Sequence, residues 1–157
     1  MALMCPHLVD SRGVPEKYRE YYCSFEEFRD GLVLDRQGTD WFDGTQLPID
    51  EALLIDANRV STAQYKANPT SKDASALWWD NHKGQPKTCL QVTGADALRD
   101  ESLIYEHVLR EQGVQTKLDV YPGLPHCAQD FFPMHSSSGK AVADLKAGVE
   151  WILKEGE

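Results

Sequence analysis

Residues 90–101 read LQVTGADALRDE, and this stretch decides the fold. Strand-type residues run into Gly94, an acid at Asp96 follows the strand end, and Asp100 offers a cap for a following helix. Working outward, KTCLQVTG at 87–94 alternates as a strand. The spacing predicts a helix from Glu101 to about Gln112, with Ile104 and Val108 one turn apart and Gly113 as its stop. QTKLDVYP at 115–122 predicts a second strand, ended by Pro122 and Gly123. SSSG at 136–139 reads as a loop before a last helix from about Lys140 to Lys154. In that helix Val142, Leu145, Val149 and Ile152 make one apolar stripe.

Strand, helix, strand, helix with short connections predicts an α/β fold with two neighbouring parallel strands and flanking helices. Ligands and chemistry in such sheets gather at the carboxyl ends of the strands. Asp96 follows the first strand, and His126, within GLPHCA at 123–128, follows the second. The topology brings both to the same edge. A carboxylate beside an imidazole fixes its tautomer and stabilises the imidazolium formed when the other nitrogen takes a proton. The same letters also fit an acid that caps a turn and an unrelated loop histidine.

The totals narrow the alternatives. A chain of 157 residues suggests one domain, and 41% hydrophobic with 26% charged residues is ordinary for a globular protein. A formal net charge of −9 argues against nucleic acid and against a polybasic membrane contact. No apolar run is long enough to cross a bilayer, and MALMCPHLVD lacks the basic start of a signal peptide, so a cytoplasmic location is expected. Cys5, Cys23, Cys89 and Cys127 form no CxxC pair and show no metal-ligand spacing. Free, partly buried thiols are expected, with no metal and no cofactor.

Residues 10–86 are less regular. ALMCP at 2–6 is a short apolar run that could be a buried strand. PEKYREYYCSFEEFRD at 15–30 has helical propensity, with Tyr18, Tyr22 and Phe25 near one face, and IDEALLIDANRVSTAQYKA at 49–67 has a plausible helical centre. SKDASALWWDNHKGQP at 71–86 reads as a loop with two aromatic anchors, Trp78 and Trp79. Core packing is their plain reading; with Trp41 they could instead line a pocket.

The segment from Gly94 to Pro133 resembles the C-terminal part of the hormone-sensitive-lipase-like serine esterases, the α/β-hydrolase fold-3 family, and most resembles fungal members. The family's D-P-L-R-D-E block is matched by DALRDE at 96–101, its L-R-E-A-G-V by LREQGV at 109–114, and its Y-P-G by YPG at 121–123. Its catalytic H-G-F corresponds to HCA at 126–128. ALMCPHLVD resembles the strand that follows the nucleophile region. The resemblance implies Asp96 as triad acid and His126 as triad base, with Arg99 and Asp100 structural. Ala97 replaces a proline, which loosens the loop carrying Asp96. Cys127 and Ala128 replace Gly-Phe, adding a Cβ beside the histidine and removing an aromatic wall.

The family's G-D-S-A-G-G nucleophile elbow and its H-G-G-G oxyanion segment are in neither half of this sequence. The expectation is the C-terminal half of an α/β-hydrolase fold, with N-terminal strands and elbow absent. It forms a single partial domain over 1–157: an irregular, helical pocket-side region at 10–86 and a βαβα segment at 87–157. Ser102 lies on the helix after the acid. Cys127, in an extended loop, would point away from its neighbour, so neither is expected to replace the serine. Strand edges left uncovered invite pairing with another chain.

Two main functions follow, with a third beside them. One is a carboxylic ester hydrolase acting on a small ester or acyl substrate, with a serine supplied elsewhere, by a complementing chain or otherwise. The other is an inactive fragment or an interaction protein that pairs, with itself or with another chain, through an open sheet edge. A dyad used for non-covalent acid/base chemistry on a secondary metabolite is a third.

Overall fold

The computed structural model describes residues 1–42, 68–73 and 75–154. The helix expected at 49–67 and the side chain of Trp41 lie outside the described residues. Three parallel strands form one sheet in the order β1 (Ala2–Met4), β2 (Thr88–Ala95), β3 (Thr116–Pro125). Leu3 pairs with Leu90, and Leu90 with Leu118, so these three leucines lie in one row across the sheet. Helices α1 (Ser24–Glu27) and α2 (Arg36–Phe42) belong to the irregular first half. Helix α3 (Arg99–Glu111) connects β2 to β3. A short helix α4 (Ala128–Phe131) and the long α5 (Ser136–Leu153) complete the chain.

β2 is the middle strand and is buried along its first six residues. A parallel strand covered on both faces reads as a continuous buried run. Successive side chains alternate between the two helix layers. Leu90 joins Ile104, Val108 and Leu109 of α3 with Val9 and Leu77 in the main core. Cys89 and Gln91 point the other way, toward α5. There Cys89 lies beside Gly148, and Gln91 Nε2 donates to the Ala141 carbonyl at 2.8 Å. Burying each large aliphatic side chain in this core contributes about 1.5–3 kcal/mol.

Several expectations need correction. Asp100 does not cap α3, which begins at Arg99 after Leu98. Its Oδ2 instead accepts from the backbone N–H groups of Cys23 and Ser24 at 2.8 and 2.7 Å, tying α1 to α3. β3 does not stop at Pro122 but continues to Pro125, with a register irregularity opposite Thr93–Ala95. A proline survives there because β3 is an outer strand among the described residues and Pro122 needs no ladder donor. Gly94 permits the irregularity, since a Cβ on it would come within 2.9 Å of Pro122 Cα.

The serines at 136–138 are the first turn of α5, not a loop. The apolar stripe is not buried as a whole: Val142 is 59% and Val149 39% exposed, while Leu145 and Ile152 are half-buried. The buried face is Ser138, Ala141 and Gly148, small residues that let the helix approach β2 closely. The segment at 15–30 is a 3₁₀ turn (Glu16–Tyr21) followed by α1, with the Tyr22 and Phe25 rings stacked at 6.3 Å. Neither Trp78 nor Trp79 is the core anchor of its segment. Leu77 between them and the preceding turn is 3% exposed, while Trp79 is 50% exposed. Trp78 Nε1 donates to the Gly13 carbonyl at 2.5 Å.

Candidate active site at the carboxyl edge of the sheet

Each of the three strands delivers one reactive side chain just past its end. β1 ends at Met4, and Cys5 follows. β2 ends at Ala95, and Asp96 follows. β3 ends at Pro125, and His126 follows. Because the strands are parallel, all three residues sit at one edge.

Asp96 is 2% exposed and is held from three sides. Its Oδ1 accepts from the Leu98 N–H at 2.9 Å, an Asx turn leading into α3. Its Oδ2 accepts from Thr93 Oγ1 at 2.9 Å and lies 2.9 Å from His126 Nδ1. A buried carboxylate with these partners is locked in place. With Nδ1–H donating to Asp96, Nε2 is the nitrogen left with a lone pair. Burial is the largest influence on the His126 pKa and pushes it down. The hydrogen bond and charge of Asp96 oppose it, aided by Cys5 and Glu101, and the net result is a pKa above the ordinary imidazole value.

The loop after His126 is not extended. Cys127 takes a left-handed φ of 45° at the start of α4. Its N–H donates to Cys5 Sγ at 3.4 Å, and Cys5 itself has a left-handed φ of 42°. The thiol of Cys127, expected to point away, is therefore brought to the histidine. Ligand atoms of Cys5, His126 and Cys127 all lie within 4.8 Å of one another. Hydrogen bonding from the Cys127 side chain pulls the Cys5 pKa down to about 6; burial opposes this, and Thr93 and the Cys127 N–H reinforce it. The Cys127 thiol is pushed up, first by its hydrogen bond with Cys5 and then by burial.

A cavity of about 190 Å³ opens beside these groups, lined by Cys5, His7, Leu34, Thr39, Leu98 and His126. Its walls are mostly apolar, so it suits a short hydrocarbon group next to the imidazole. Trp79 lines a separate surface cavity with His82 and Tyr105 rather than this one.

Arg99 and Asp100 act on the loop, not on the cavity. Arg99 Nη1 donates to the Gly94 carbonyl at 3.2 Å, its Nε to Asp100 at 2.8 Å and its Nη2 to Glu27 at 2.7 Å. Ala97, the residue in place of a proline, is fully buried, and its carbonyl accepts from Ser24 Oγ at 2.8 Å. The loop is thus tied down without the proline ring. Sequence reading missed Cys5, Thr93 and Glu101. Glu101 is fully buried, accepts from the Leu8 N–H at 2.7 Å and lies 3.1 Å from His7 Nδ1. The signal available for Cys5 was its place one residue past a strand, the position that also singled out Asp96 and His126.

Comparison with known proteins bears on the family and the fold. Residues 1–130 match the family described as alpha/beta hydrolase fold. The chain is 31% identical over 153 residues to versiconal hemiacetal acetate esterase of Dothistroma septosporum, covering 97% of this chain and 41% of that protein. It is 38% identical over 90 residues to an AB hydrolase superfamily protein of Schizosaccharomyces pombe, covering 57% of this chain and 26% of that protein. Among solved structures it is similar to vibralactone cyclase, with a TM-score of 0.80 at 26% identity, covering 96% of this chain and 39% of that one. The chain thus spans less than half the length of these relatives. Among the described residues no helix is long and apolar enough to cross a membrane. With a matching sequence over most of its length and a parallel sheet bearing flanking helices, the chain belongs to the α/β-hydrolase family, on its hormone-sensitive-lipase-like branch.

Proposed function

We propose that the chain supplies the acid and base of a carboxylic ester hydrolase, whose serine comes from outside these 157 residues. The observation that carries the reading is the hydrogen bond of 2.9 Å between His126 Nδ1 and Asp96 Oδ2 beside an apolar cavity. His126 Nε2 takes the proton of the serine hydroxyl as its oxygen attacks the ester carbonyl. The imidazolium, stabilised by Asp96, then protonates the leaving alcohol. Water hydrolyses the acyl-enzyme by the same base in a second half-reaction. The esterase among the relatives supports an ester substrate. The cavity volume of about 190 Å³ favours a short acyl group.

The test is a graft. Residues 1–157 replace the matching segment of the Dothistroma esterase, which supplies its own N-terminal part. A folded chimera is expected to hydrolyse p-nitrophenyl acetate or butyrate and to lose that activity on His126→Ala. A chimera that folds, as judged by circular dichroism, yet neither turns over ester nor reacts with a fluorophosphonate would overturn the reading.

A further inference from the structure

The geometry points to a metal site: Cys5 Sγ, Cys127 Sγ and His126 Nε2 bind one thiophilic divalent cation of the zinc class, leaving a fourth position open to the cavity. This inference does not rest on the hydrolytic reading, and the two compete, because the metal takes the lone pair that a general base needs.

The donor set comes first. One ligand atom from each of Cys5, His126 and Cys127 lies within 4.8 Å of the others. A tetrahedral zinc, with bonds of about 2.3 Å to sulfur and about 2.0 Å to nitrogen, holds its ligands about 3.5–3.8 Å apart. Small side-chain rotations close the remaining distance. Two thiolates and an imidazole select zinc or other soft cations over magnesium and calcium, which demand oxygen.

The surroundings are those a metal centre needs. A ligating histidine is oriented by a carboxylate on its other nitrogen, and Asp96 occupies that place, itself fixed by Thr93 and Leu98. The Cys5 sulfur already lies 3.3 Å from Thr93 Oγ1 and accepts the Cys127 N–H, groups that continue to stabilise a metal-bound thiolate. Both cysteines adopt a left-handed backbone that non-glycine residues rarely take, and their side chains meet at this point. The cavity lined by Cys5 and His126 supplies room for water or a small ligand at the fourth position. On binding, the thiols lose their protons to solvent, and His126 stays neutral with Nδ1–H on Asp96, so charge and protons balance.

The test is cobalt titration of the reduced chain without oxygen, in the presence of a phosphine reductant. The expected result is one equivalent bound, with a sulfur-to-cobalt charge-transfer band and the visible bands of a four-coordinate site, both displaced by zinc. Cys127→Ser and Cys5→Ser lose the charge-transfer band, and Cys23→Ser, an exposed thiol outside the cluster, keeps it. Asp96→Asn, a positioning change, weakens cobalt binding about 10- to 100-fold. Alkylation mapped by mass spectrometry needs no variant: zinc should protect the half-buried Cys127 but not the exposed Cys23. A folded, fully reduced wild-type chain that shows no charge-transfer band and no protection overturns the site. So does a Cys5–Cys127 disulfide that the reductant cannot open.

Discussion

His126 Nδ1 and Thr93 Oγ1 converge on the same oxygen of Asp96, each at 2.9 Å. One buried carboxylate therefore fixes the ring behind it and is fixed by the strand beneath it. In Asp96→Ala, the Leu98 N–H, the Thr93 hydroxyl and the His126 ring all lose their acceptor. We expect a loss of about 2–4 kcal/mol of stability. The His126 pKa, held above its ordinary value chiefly by Asp96 against the effect of burial, falls. Urea denaturation and NMR titration of metal-free protein measure the two effects separately. A His126 pKa unchanged in the variant would mean that the carboxylate does not set the charge of the ring.

Asp100 is the second anchor, and its role is structural. Its Oδ2 accepts two backbone N–H groups, from Cys23 and from the buried Ser24, while Oδ1 accepts Arg99 Nε at 2.8 Å. Asp100→Ala strands both amides and is expected to destabilise the fold by about 3 kcal/mol; Asp100→Asn, which keeps an oxygen, by about half as much. Chemical denaturation of both variants checks the ranking. Equal losses would show that charge, not acceptor geometry, is what matters.

What the sequence made legible was local. β2, α3 and the start of β3 carry their own punctuation, Gly94 and Gly113 among it, and parallel topology then placed Asp96 and His126 at one edge. Features that depend on a partner were not legible. β3 continues through Pro122 because only its neighbour decides whether a donor is needed. Periodicity marked Val142, Leu145, Val149 and Ile152 as one apolar stripe of α5, but the residues fully buried by close approach to β2 are small ones such as Ala141 and Gly148. Cys5 lies one residue beyond a strand of three residues, too short for any pattern, and its partners are 88 and 122 positions away.

Two glycines of α5 test that packing with opposite signs. A Cβ at Gly148 would come within 2.8 Å of Cys89 Sγ, whereas one at Gly139 meets nothing within 4 Å. Helix propensity alone favours alanine at both by about 1 kcal/mol. We expect Gly139→Ala to stabilise by about 0.5–1 kcal/mol, and Gly148→Ala to lose about 1 kcal/mol net, because overpacking outweighs propensity. Cys89→Ala removes the obstructing sulfur, so the double variant should recover part of the loss. Thermal melts of the wild type, the three single variants and the double variant suffice. Stabilisation by Gly148→Ala alone would show that α5 does not pack this closely on β2.

Two histidines give the stability a pH dependence with opposite signs. His82 is 2% exposed, stands edge-on to Tyr105 with ring centroids 5.3 Å apart, and its ring nitrogens make no well-formed hydrogen bond. Burial lowers its pKa below 6.5, against a smaller opposing effect of the Trp79 backbone. The unfolded chain therefore takes up a proton there first. The contribution of His82 is complete above pH 6.5 and is lost as pH falls from there through its lower folded pKa. For His126 the folded pKa is raised, so its contribution is complete below 6.5 and is lost as pH rises through the folded value. In His82→Phe the acid-side loss attributable to this ring disappears, so below pH 6.5 the variant's stability should fall less with falling pH than the wild type's. Above that, the raised His126 pKa and the lowered Cys5 pKa act in opposite directions and equally in both proteins. Urea midpoints at a series of pH values between about 5 and 8 read this directly. If the wild type and the variant showed the same acid-side slope, His82 would have to be protonated in the fold, and its burial against Tyr105 could not be what governs it.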